Sequence, residues 1–86
     1  MSKEGTIRVV TFKEGDFFVA QALEVDVCAQ GRTMDEANRR LILTLKAEES
    51  DAEAEGRTLW DIGPAPRPFH VLFQDHEVGR TELKVA

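Results

Sequence analysis

The sequence predicts an α+β fold, a three- or four-stranded antiparallel sheet packed against one long α-helix in the order β-β-β-α. Three observations carry that reading. The first third of the chain alternates short β-branched and aromatic runs with Gly-containing polar intervals. Thr33 and Glu36 stand at capping-box spacing directly after Gly31. Behind them Met34, Ala37, Leu41 and Leu45 recur every three or four residues, one face of a helix.

Thr6 to Phe12 (TIRVVTF) is rich in β-branched residues and reads as the first strand. Lys13 to Asp16 is a polar interval of hairpin length, so Phe17 to Leu23 (FFVAQAL) should return antiparallel to it. Alternation places Phe17, Val19 and Leu23 on one face and Phe18, Ala20 and Ala22 on the other. Both faces are therefore apolar. One should meet the helix, and the other needs cover from a second subunit or another protein, or from this chain's own C-terminal segment.

Val25 to Ala29 is the expected third strand, with the carboxylates of Glu24 and Asp26 on a shared face. Gly31 then supplies a permissive backbone for the strand-to-helix reversal. Thr33 is the expected N-cap, and Asp35–Arg39 and Glu36–Arg40 are i,i+4 pairs in the favourable acid-first order. Beyond Leu45 the helix should continue as a largely solvated, acidic tail (Glu48, Glu49, Asp51, Glu53, Glu55) and stop at Gly56. Those carboxylates sit at the negative end of the helix dipole, which costs stability.

Residues 63–68 (GPAPRP) form an extended, proline-rich connection. Phe69 to Phe73 fits two periods: Phe69, Val71 and Phe73 alternate as in a strand, whereas Phe69, Leu72 and Phe73 have helical spacing. A short helix opened by Pro66 or Pro68 is the preferred reading. Thr81 to Val85 is a candidate last strand. The whole chain, 1–86, reads as one domain with its core in 6–56 and short elements in 69–85.

Eighty-six residues bury only about 60–65% of the surface that the unfolded chain exposes, so a homodimer interface would help such a small core. The net charge of −5 argues against direct binding of nucleic acid, whose phosphates attract clustered Lys and Arg. A basic protein partner suits it better. No apolar run is long enough to cross a bilayer, nothing near Met1 reads as a signal peptide, and a single cysteine offers no intramolecular disulfide. The expected setting is the reducing cytoplasm.

No catalytic constellation emerges. Cys28 lacks a partnered base and an oxyanion hole, and reads as a small core hydrophobe. His70 and His76 do not converge on a metal at either helical or strand spacing, and Glu24 with Asp26 is too few ligands for a hard cation. The glycines show no phosphate-binding spacing, and Trp60 reads as a core anchor rather than a ligand platform. Neither enzyme activity nor a cofactor is expected.

Gln30-Gly31-Arg32-Thr33-Met34-Asp35-Glu36-Ala37, followed by Leu41, resembles the Q-G-x-T-x-x-E-A signature of HicB-type antitoxins. The hairpin around Asp16-Phe17-Phe18-Val19-Ala20 and the strand ending at Cys28-Ala29 sit where that family has its second and third strands. The resemblance runs from Phe12 to Leu45, with Gly31, Thr33, Glu36 and Ala37 as its structural motif. It implies a partial ribonuclease-H-like β-β-β-α domain without the nuclease carboxylates, in keeping with a first strand, TIRVVTF, that holds no Asp or Glu. It also implies a partner, the small basic mRNA-cleaving toxin HicA. The sequence departs from the family in two respects. Val25-Asp26-Val27-Cys28 stands where Pro-Gly-Cys is common, and no basic helix for operator binding follows Gly56. The expected function is thus a non-catalytic antitoxin-like module, with Glu24, Asp26, Glu48, Glu49, Asp51, Glu53 and Glu55 as candidate partner-binding residues. The alternative is a structural or small-ligand-binding homo-oligomer with no toxin partner.

Overall fold

The computed structural model describes residues 5–74 and 78–85. Strands β1 (Gly5–Glu14), β2 (Phe17–Ala22) and β3 (Cys28–Gly31) precede helix α1 (Met34–Ala54). A 3₁₀ turn (Leu59–Ile62), helix α2 (Arg67–Leu72) and strand β4 (Gly79–Val85) follow. The four strands form one antiparallel sheet in the order β3-β2-β1-β4. The expected α+β architecture, with one long helix on an antiparallel sheet, is what the chain adopts.

Register decides which side chains meet the helix. Val9 lies opposite Ala22 and Thr11 opposite Ala20, while Leu83 lies opposite Ile7. Ile7, Val9, Ala20 and Ala22 pack with Ala37, Leu41 and Leu45 into the main core. The helix-facing side of β2 is thus Phe18, Ala20 and Ala22. Leu41 has no exposed surface, and burying a side chain of that size contributes about 1.5–3 kcal/mol. Met34, placed on the same helical face by its spacing, stays 39% exposed because it sits at the helix entrance over Gly79 of β4. Farther along, Ala52 and Leu59 are buried and the 3₁₀ turn packs on α1, so the helix tail is less solvated than its composition suggests.

The opposite face of the sheet is covered by the chain itself. Val10 and Val19 are buried there, and the Phe69 ring of α2 stacks on Phe12 with centroids 6.1 Å apart. Of the two sources of cover the sequence leaves open, the C-terminal segment is the one present. α2 is the short helix the proline spacing favoured, with Pro68 in its first turn.

The third strand is displaced from its expected place. Leu23 to Val25 forms a bend, and β3 begins only at Cys28. The backbone of the bend is engaged elsewhere: Asp26 N donates to Gly63 O (2.8 Å), and Ala65 N donates to Leu23 O (2.9 Å). The proline-rich connection takes up groups that a longer strand would have offered to β2. Cys28 is accordingly exposed on the short edge strand rather than buried in the core.

Gly31 acts through close approach. Its φ is not positive, and a Cβ there would lie 2.5 Å from the backbone N of Ala37 and 2.8 Å from the carbonyl carbon of Glu36. The first turn of α1 rests directly on the strand backbone. At the other end, Gly56 at φ 74° closes a Schellman motif, with Arg57 N donating to Ala52 O (2.7 Å) and Gly56 N to Glu53 O (3.1 Å).

Two substitutions check this junction. Gly31→Ala should lower stability by about 1–3 kcal/mol through overpacking. Thr33→Ala should lower it by about 1 kcal/mol through loss of the cap acceptor. Both are read from urea midpoints at unchanged slope. A Gly31→Ala melt superimposable on the parent's would show that the helix does not cross the strand there.

Candidate protein-binding surface

The junction between β3 and α1 is built from the residues that the sequence singles out. Thr33 has extended dihedrals and its Oγ1 accepts from Glu36 N (3.0 Å), as an N-cap should. The carboxylate of Glu36 reaches back to accept from Arg32 N (2.6 Å), one residue before the cap, which makes this a variant of the capping box. Glu36 also meets Arg40 at 3.6 Å, and Arg40 Nη1 donates to Gln30 O (3.2 Å), tying the helix to the edge strand. Among the described residues no ion pair joins Asp35 to Arg39.

The expected partner-binding carboxylates do not form one patch. Glu24 is half-buried and committed: Oε2 pairs with Arg8 Nε at 2.6 Å and Oε1 accepts from Arg8 N at 2.7 Å. Asp26 is exposed, with Oδ1 accepting from Gln21 Nε2 (3.1 Å). On the helix tail, Glu48, Asp51 and Glu55 lie in one row by the helical period and Glu49 and Glu53 in another, on either side of buried Ala52. Glu49 is half-buried and Glu55 pairs with Arg57. Glu48, Asp51 and Glu53 remain exposed and unpaired among the described residues. Leu43, 65% exposed, adds an apolar point farther back on the same helix.

Several contributors escape a sequence reading. Gln21 is buried on the second sheet face, and its Nε2 donates to Ala22 O (2.9 Å) and Val27 O (3.3 Å) as well as to Asp26, fastening the bend. Two guanidinium groups approach the Phe73 ring, with Arg8 Cζ 5.5 Å and Arg80 Cζ 5.9 Å from its centroid. Each contact of this kind is worth about 0.5–1 kcal/mol at an exposed site. Polar residues alternating out of an apolar strand were the only available signal, and they do not reveal a partner so distant in the chain.

Other chemistry is sparse. His70 bonds Ala65 O through Nε2 (3.0 Å), a structural contact, and His76 lies outside the described residues. Among the described residues no three His, Cys, Asp or Glu side chains are grouped to hold a metal ion. No helix among them is long and apolar enough to cross a membrane. Two concavities border β4. One, of about 360 Å³, is lined by Ile42, Leu45, Lys46, Glu49, Leu59, Leu83 and Lys84. The other, about 500 Å³ and shallower, lies beside Phe73, Arg80, Thr81 and Glu82. Comparison with family models, with curated proteins and with solved structures finds no match for this chain.

The cap gives a pH prediction. The Arg32 N–H donated to its carboxylate holds Glu36 below its ordinary value of 4.5. The guanidinium groups of Arg40, Arg32 and Arg39 act in the same direction against partial desolvation. A depressed folded value means that the stabilisation is present above the unfolded value and fades as pH falls through the folded one. Glu36→Gln should therefore lose less stability than the parent as pH falls through the ordinary carboxylate range. Parallel acid profiles of the urea midpoint for the two proteins would remove Glu36 from that role.

Proposed function

We propose that this chain is a non-catalytic protein-binding module, a HicB-like antitoxin that neutralises a small basic mRNA-cleaving toxin of HicA type by covering its RNA-binding surface. The observation that carries the reading is the β3–α1 junction, where each fixed residue of the Q-G-x-T-x-x-E-A pattern has a physical task. Gly31 admits the helix, Thr33 caps it, Glu36 closes the turn behind the cap and Ala37 is buried against the strand. The exposed carboxylates of Glu48 and Asp51 on one side of buried Ala52, and of Glu53 on the other, give the helix end negative charge for a basic partner. Such charges chiefly set the encounter rate and are screened by salt, while apolar contacts such as Leu43 would hold the complex. An mRNA-cleaving partner places the work in the cytoplasm.

The test uses a HicA-type toxin encoded beside this chain. Co-expression should relieve toxicity and yield an isolable complex. Reversal of Glu48, Asp51 and Glu53 to Lys should slow association several-fold at low ionic strength and much less at high. At Asp51 and Glu53 the substitutions place positive charge in the last turn of the helix, which favours the fold by about 0.3–1 kcal/mol each. An undiminished urea midpoint in the triple variant separates a slower rate from unfolding. Rates unchanged across the salt series would move the docking surface off the helix tail, and no complex at all would dismiss the antitoxin reading.

A further inference from the structure

The sheet ends on one side at β4, and its exposed edge bears an unusual charge order. Leu23 N donates to Arg8 O across the β1–β2 ladder, so Arg8, Val10 and Phe12 turn their backbone polar groups towards β2. Ile7, Val9 and Thr11 then turn theirs towards β4, where they face Leu83, Thr81 and Gly79. The N–H and C=O groups of Arg80, Glu82 and Lys84 consequently point away from the sheet, a row open to another strand. Arg80, Glu82 and Lys84 are all exposed, and Thr81, although on the helix-facing side, is exposed too because α1 lies chiefly over β3 and β2. Concavities flank this strand on both faces of the sheet.

We infer that the β4 edge is a homodimer interface, in which β4 pairs antiparallel with β4 of a second copy about a two-fold axis through Leu83. Charge excludes centring on Glu82, and centring on Thr81, which would set Arg80 against Glu82, competes with the contacts Arg80 already makes to the Phe73 carbonyl (3.4 Å) and ring. Outward-facing residues must pair with outward-facing residues for the ladder to form. Centring on Glu82 would set Glu82 against Glu82 and Arg80 against Lys84, like charges directly opposed. Centring on Leu83 sets Glu82 against Lys84 twice, and among the described residues neither side chain has an ion pair within its own chain. Leu83 then meets Leu83 at a non-hydrogen-bonded position, where facing side chains come closest. Leu83 also borders the groove of Ile42, Leu45 and Leu59, whose rim carries Lys46, Glu49 and Lys84, so a second copy paired there would flank the open side of that groove. The occupant is a second copy because one strand supplies both halves of the charge match.

The experiment is sedimentation equilibrium on the parent and three variants, with far-UV circular dichroism as a fold check. The parent should show twice the 9.6 kDa chain mass at tens of micromolar. Glu82→Lys alone and Lys84→Glu alone each place like charges at both symmetric positions, and should weaken the dimer about tenfold or more. The double exchange, Glu82→Lys with Lys84→Glu, restores both pairs and should return the dimer to within about threefold of the parent. A merely unfolded single variant could not produce that recovery. A 9.6 kDa parent overturns the proposal. So does a dimer indifferent to the single variants, or one broken by Glu82→Lys but not by Lys84→Glu.

Discussion

A hairpin that is apolar on both faces must be covered twice, and that constraint shapes the rest of the chain. α1 serves the face of Ile7, Val9, Ala20 and Ala22. The segment from Ala65 to Phe73 serves the face of Val10, Phe12 and Val19, with Ala65 bonded to Leu23 and Phe69 stacked on Phe12. Arg8 is the hinge pin of the second cover. Its backbone N–H and its guanidinium both bind Glu24, and the same guanidinium lies over Phe73. One residue of β1 thus ties the bend before β3 to the end of α2.

Covering two faces with so short a chain leaves little for the sheet's margins. α1 starts on β3, rests on Gly31 and runs chiefly over β3 and β2, which leaves β4 flanked by open concavities. The acidic tail continues past the sheet's best-covered part and buries only Ala52 against the 3₁₀ turn. Two surfaces of different character result, an acidic helix end and a charge-alternating strand edge.

How much of this was legible depended on how local the cause was. The N-cap at Thr33 and the stop at Gly56 lie within a few residues of their consequences, and both stand where the spacing put them. The need for Gly31 was legible, but its reason was not: the requirement comes from Ala37 passing overhead, not from a left-handed backbone. β3 starts later than its sequence suggests because Gly63 and Ala65, far along the chain, take up the backbone groups of Asp26 and Leu23. The exposure of Cys28 is equally hidden from the sequence, since nothing local marks a strand as a short, uncovered edge. Of the candidate carboxylates, Glu24 is the one that structure removes from the free surface, through Arg8 sixteen residues earlier. An alternating pattern marks Arg8 as outward-facing but says nothing about its partners.

The central claim is that the chain's own C-terminal segment covers the second sheet face, and a double-mutant cycle between Phe12 and Phe69 tests it most directly. Phe12→Ala, Phe69→Ala and the double variant are compared with the parent by urea unfolding. Stacked rings on β1 and α2 should give a coupling energy of about 0.5–1.5 kcal/mol beyond the sum of their separate losses. Strict additivity, with no coupling between the two positions, would contradict the account and leave that face of the sheet to be covered by something else.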